Sequence, residues 1–301
     1  MSVGQNGGIG QDARSSSQLG GVQEQEHPST PDTPESRAVQ VPSLGQIALL
    51  CLAMVLVALL TSTGIEVVSW VTSRTSAARP RLIGLMVSEV WMLLSALLLL
   101  RVKRMSPDQV LRLRPVTRAV IATSLLLAVS CSLIVAEADS LIQRLVPVPR
   151  FLHETLMELF ATPGTWDIVL VFLAIVLLPG VCEEVFFRGV VLAGLSQRWG
   201  ASAGVVTSAL LFALLHFNPW QLTPLFLLGV VLGYLVVATH SLYPAILAHG
   251  ANNLLSWISM RQTGRMDYQL PVWLVLLSIA LCVVAFVAFN RATATSRQLS
   301  G

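Results

Sequence analysis

The chain has 301 residues, of which 54% are hydrophobic and only 12% charged, with a formal net charge of +3. A soluble domain usually carries about 25% charged residues. With a mean hydropathy of +0.72, the composition excludes an ordinary water-soluble enzyme, and the small positive balance gives no basis for nucleic-acid binding.

Residues 1–45 are rich in Ser, Gln, Gly and Pro and hold almost no aliphatic run before Val39. Such a segment cannot bury enough apolar surface to order itself, so a disordered polar tail is expected. It lacks a basic start followed by a short apolar stretch and does not read as a signal peptide. Eight stretches near 20 residues long then follow, each enough to cross about 30 Å of hydrocarbon. They lie at Ile47–Val71, Leu82–Leu100, Ala119–Ala136, Asp167–Leu195, Ala201–Phe217, Leu222–Thr239, Tyr243–Met260 and Pro271–Phe289. In lipid only a helix satisfies its own backbone donors and acceptors within one segment. The expected fold class is therefore all-α, a polytopic transmembrane helical bundle of about eight helices over residues 46–290, with a short C-terminal tail at 291–301. Trp70, Trp166, Trp199, Trp220 and Trp273 fall near span ends, as an interfacial aromatic belt requires.

The first span contains Thr61, Ser62, Thr63 and Glu66 and is the most polar of the early ones. The loop between the second and third spans holds Arg101, Lys103, Arg104, Arg112, Arg114 and Arg118. That concentration of Lys and Arg places the loop and both termini on the cytoplasmic side, and the expected location is a bacterial plasma membrane. Cys51, Cys131, Cys182 and Cys282 are far apart in sequence and show no metal-ligand spacing, so they read as small apolar packers.

The fourth span carries C-E-E-V-F-F-R-G, Cys182–Gly189. An ionisable group at membrane depth costs about 2.5–3.5 kcal/mol on insertion scales and by default marks a functional site. Glu184 and Arg188 are four apart, share a helix face and can pair; Glu183 points about 100° away with no cationic partner on its own helix. One carboxylate is thus held by a neighbour and the other is free to react, as in sites where two carboxylates take different roles. A buried ion-pair knot between helices is the structural alternative. Pro179 and Gly180 permit a kink just before the motif. The fifth span ends F-A-L-L-H, Phe212–His216, and the seventh carries His249 and Asn253 one turn apart. Glu, His, His and Asn converging in a bundle core can activate a water, directly or through a metal, and can stabilise an oxyanion. Gly229 and Gly233 form a G-x-x-x-G, read as close packing between helices.

Taken together, Glu183-Glu184-x-x-x-Arg188, Phe212-x-x-x-His216 and His249-x-x-x-Asn253 resemble the signature of the intramembrane CPBP proteases, also called Abi proteins, whose eukaryotic branch is the type II CAAX prenyl endopeptidase. The resemblance covers about residues 165–260. It implies a helical core around a polar intramembrane cavity and endopeptidase action on a membrane-associated protein or peptide, CAAX-type processing included. It also implies that Glu183 and His216 activate water, that His249 and Asn253 stabilise the tetrahedral intermediate, and that Glu184, Arg188 and Phe212 organise the site. Zinc is a possible cofactor, with Glu183, His216 and His249 as candidate ligands, and the expected partners are membrane lipid and a peptide or lipidated protein. A non-catalytic immunity or scaffold protein of the same family is the alternative. On linear depth, His216 falls nearer the outer end of its span than Glu183 does.

Overall fold

The computed structural model describes residues 39–71, 78–160, 164–263 and 269–300, and the expected polar tail lies outside them as far as residue 38. The described residues form nine helices and no strand. They are α1 (Leu44–Val71), α2 (Ala78–Val102), the short α3 (Pro107–Leu111), α4 (Arg118–Leu145), α5 (Arg150–Phe160), the long α6 (Thr165–Leu214), α7 (Leu222–Thr239), α8 (Tyr243–Thr263) and α9 (Val272–Ser300). Six of them, α1, α2, α4, α6, α7 and α9, are long and apolar enough to cross a membrane.

Three predicted spans differ from expectation in kind. The fourth and fifth form one 50-residue run, α6, bent at Gly200. Gly200 has φ +81° and ψ 165°, a conformation essentially restricted to glycine. The seventh is the helix α8, which is absent from the six long apolar ones; it carries His249, Asn252 and Asn253 along its length. At the C-terminus, α9 runs through the residues expected to be a tail, as far as Ser300.

Local chemistry sets the boundaries. Ser43 and Gln46 cap α1 reciprocally: Ser43 Oγ accepts from the Gln46 N–H at 3.3 Å and Gln46 Oε1 accepts from the Ser43 N–H at 2.9 Å, satisfying two otherwise orphaned donors. Thr117 Oγ1 accepts from the Val120 N–H at the start of α4. Two stretches of α6 widen to π-helix, Phe172–Leu177 and Glu184–Val191. The first immediately precedes Pro179, whose missing N–H disturbs an α-helical ladder. The kink expected at Pro179–Gly180 is thus a widened helix with its backbone bonds re-registered, and the chain does not unwind there.

Small residues bring the helices together around α6. A methyl group on Gly180 would stand 3.3 Å from the backbone nitrogen of Gly250 and 3.4 Å from the Ile246 carbonyl, so the first arm of α6 and α8 meet almost backbone to backbone. Gly229 and Gly233 pack α7 against Ala209 and Val205 in the second arm of α6, the close packing expected of their spacing. Outside this core, α4 lies along α9. There the Sγ atoms of Cys131 and Cys282 approach to 3.5 Å as free thiols, a proximity invisible in their separation of 151 residues. Trp70, Trp166, Trp199 and Trp273 are exposed at helix ends.

Candidate active site

Three arms of the bundle deliver the polar side chains to one place. The first arm of α6 contributes Glu183, Glu184 and Arg188, its second arm contributes Phe212, His216 follows its last turn, and α8 contributes His249. Arg188 is the largest fully buried side chain of the described residues. Its Nη1 donates to Glu184 Oε1 at 2.8 Å and its Nη2 to the Gly229 carbonyl at 3.3 Å. The guanidinium carbon lies 4.4 Å from the centroid of the Phe212 ring, a cation–π distance. Gly229 therefore serves twice, letting α7 approach α6 and offering its carbonyl to the buried cation. The i, i+4 pairing expected of Glu184 and Arg188 is present and dry.

Glu184 Oε1 also accepts from His249 Nδ1 at 2.9 Å. A proton on Nδ1 leaves the other face of that ring, Nε2, turned toward Glu183 Oε2 at 3.6 Å. His216 is fixed in the same manner by a different acceptor: its Nδ1 donates to the Phe212 carbonyl at 2.7 Å, and its Nε2 faces Glu183 Oε1 at 3.9 Å. Glu183 thus lies between two imidazole nitrogens, each beyond direct hydrogen-bond length and within reach of a shared water. The Phe212 ring packs edge-on against both histidines, with centroids 4.8 Å from His216 and 5.8 Å from His249. His216 is the most open of the group, its side chain 28% accessible against 10% for Glu183 and 3% for His249. The depth mismatch between His216 and Glu183 disappears because the bend at Gly200 folds the second arm of α6 back along the first.

Asn253 lies one turn after His249, where its Nδ2 donates to the carbonyl of Ile175 in the first π-helical stretch at 2.9 Å. Of the residues expected in the site, the structure joins Glu183, Glu184, Arg188, Phe212, His216 and His249 directly and attaches Asn253 through the α6 backbone.

One residue escaped the sequence reading. Glu89, midway along α2, lies beside Glu183 and near Cys182. Glu89 Oε2, Glu183 Oε2 and Glu184 Oε2 are buried with no hydrogen-bond partner among the described residues, and polar atoms in that state are rare in folded proteins. A carboxylate alone in an apolar span was a signal in the sequence, but nothing there connects Glu89 to a residue 94 positions later.

As a donor set, one carboxylate and two imidazoles match a hydrolytic zinc site with an open position. Among the described residues, however, no group of three or more His, Cys, Asp or Glu side chains is arranged to hold a metal ion.

Residues 165–255, under a third of the chain, match the family model described as type II CAAX prenyl endopeptidase Rce1-like. The match takes in every arm of the site except α2. Comparison with curated proteins and with solved structures gives no match.

Proposed function

We propose that this protein, whose segment 165–255 matches the family model described as type II CAAX prenyl endopeptidase Rce1-like, is an intramembrane endopeptidase. Its substrate would be a membrane-associated peptide, with prenylated CAAX peptides the first class to test. The observation that carries the reading is the Glu183 carboxylate facing Nε2 of both His216 and His249, at 3.9 and 3.6 Å, inside a bundle of apolar helices.

In this reading a water sits between Glu183 and the two rings. Glu183, assisted by His216 Nε2, takes one proton as the water oxygen attacks the scissile carbonyl. The carbonyl oxygen becomes an oxyanion, which His249 Nε2–H and Asn253 Nδ2–H stabilise. When the intermediate collapses the C–N bond breaks, and the proton held at Glu183 passes to the leaving amine. Glu184 supports His249 through Nδ1 and compensates the ring when both its nitrogens carry protons, while Arg188 balances Glu184. The Lys and Arg bias of the loops supports placing both termini on the cytoplasmic side of the membrane.

The test is cleavage of a farnesylated CAAX peptide by the purified full chain in detergent, wild type against Glu183→Gln. Cleavage that the substitution abolishes supports the reading. Equal cleavage by both proteins sinks the assignment of Glu183, and failure of the folded wild type to cleave sinks this substrate class. A non-catalytic scaffold has no use for the Glu183 carboxylate, so a cellular phenotype that survives Glu183→Gln and Asn253→Ala together would favour that alternative.

A further inference from the structure

Asn253 is held by a chain of hydrogen bonds that crosses three helices. Ser132 Oγ on α4 donates to Asn252 Oδ1 at 2.7 Å, Asn252 Nδ2 donates to Asn253 Oδ1 at 3.1 Å, and Asn253 Nδ2 donates to the Ile175 carbonyl at 2.9 Å. The direction of this chain is forced by its last member. A backbone carbonyl only accepts, so Asn253 must turn its amide nitrogen toward Ile175 and its oxygen toward Asn252. Asn252 must then give its own nitrogen to Asn253 and its oxygen to Ser132, whose hydroxyl supplies the final proton. That hydroxyl has one alternative acceptor, the Ala128 carbonyl at 2.8 Å, and its single proton cannot serve both fully.

An asparagine with a free amide can present either a donor or an acceptor to its surroundings. The chain removes that choice, since reversing Asn253 would set oxygen against the Ile175 oxygen. With one hydrogen of Nδ2 on Ile175, the second remains for a ligand, and only a donor is offered. We infer that Ser132 and Asn252 are positioning residues for the proposed cleavage, a relay from α4 through α8 that holds Asn253 as an oxyanion donor. The inference rests on the peptidase reading above. Small polar side chains also join helices in membranes without any catalytic role, so the test must separate orientation from packing.

The experiment measures kcat and KM on the farnesylated CAAX peptide for the full chain and for Ser132→Ala, Ser132→Thr, Asn252→Asp, Asn253→Ala and the Ser132→Ala/Asn253→Ala double variant. Losing Ser132's hydroxyl should lower kcat about five- to tenfold, the effect of one neutral hydrogen bond, with KM little changed. Ser132→Thr keeps the hydroxyl and should restore most of the rate. Asn252→Asp is isosteric, folds if the packing alone matters, and sets an acceptor against the Asn253 oxygen; kcat should fall further than in Ser132→Ala. Asn253→Ala should cost about a hundredfold to a thousandfold in kcat, and adding Ser132→Ala should cost no more, because Ser132 acts only through Asn253. Unchanged kcat in Ser132→Ala and Asn252→Asp, a loss in KM alone, or additive losses in the double variant would overturn the relay and leave the peptidase reading standing. A folded wild type that fails to cleave would overturn the premise, and the relay's catalytic role with it.

Discussion

Replacing Glu184 with Gln removes one negative charge from the driest part of the site and leaves its shape intact. In the native protein the Arg188 guanidinium has one anionic partner at hydrogen-bond distance, Glu184 Oε1 at 2.8 Å, together with the Gly229 carbonyl at 3.3 Å and the face of Phe212. Both members of the ion pair are at most 1% accessible, so water cannot replace the lost charge. Breaking such a pair costs about 3–5 kcal/mol, mostly through the uncompensated partner. Here the lower figure applies, since the Gln oxygen still accepts from Arg188 and the Gly229 carbonyl is unaffected. At roughly 2–4 °C per kcal/mol for a chain of this size, about 3 kcal/mol corresponds to a fall in Tm of about 6–12 °C. The assay is thermal unfolding in detergent, followed by intrinsic fluorescence, with monodispersity checked by gel filtration. A companion variant, Glu184→Leu with Arg188→Met, replaces the pair by apolar groups of similar volume. It should recover most of the stability and remain inactive, because His249 loses its acceptor. If Glu184→Gln melts with the wild type, the Arg188 charge is not confined as described and the reasoning fails.

Glu183→Gln should melt close to the wild type, since Glu183 has no cationic partner on its own helix, while peptide cleavage falls at least about a hundredfold; a large drop in Tm would reverse the roles given to the two carboxylates. Gly180→Ala places a methyl 3.3–3.4 Å from the Gly250 backbone and the Ile246 carbonyl, so about 1–3 kcal/mol of stability should be lost by overpacking, with cleavage weakened as Glu184 and His249 are pushed apart; an unaltered Tm and rate would show that the seam is loose. Zinc analysis of purified wild type and His249→Ala distinguishes the two hydrolytic routes. Equal trace content in both supports water activation by Glu183 and His216 alone, whereas one zinc per chain that His249→Ala loses would assign the donor set to a metal.

How far the sequence reaches is clearest at individual residues. The Glu184–Arg188 pair was legible because it needs only helical periodicity, and the packing role of Gly229 and Gly233 because small residues at that spacing have few other uses. Five of the expected spans each correspond to one long apolar helix for the same reason, that lipid leaves the backbone no alternative. Glu89 was not legible as a member of the site, because its position beside Glu183 depends on how α2 docks against α6. The convergence of His216 and Glu183 was expected from their residue types, but the geometry that achieves it was not legible. It depends on one dihedral angle at Gly200, and a glycine in sequence states only that such an angle is permitted. The order of donors and acceptors from Ser132 to Ile175 lies furthest from sequence, since it requires three helices and the orientation of two amides.

The widened turns of α6 have a consequence for how this chain can tolerate change in length. A π-helical turn holds one residue more than the α-helical turn it replaces, and it commonly arises as a local insertion at a functional site. Deleting one residue from Phe172–Leu177 would let that stretch relax to ordinary α-helix with its backbone bonds intact. Since each kind of turn closes one revolution, the side chains beyond it would keep their direction, and Glu183 and Glu184 would stay in register with Asp167, which is tied to Arg79 of α2 at the far end of the same arm. Deleting a residue from the ordinary α-helix at Leu178–Glu183 would instead turn every side chain beyond it by about 100° relative to those before. The widened turn is therefore the place in this arm where the loss of one residue should least misdirect the carboxylates.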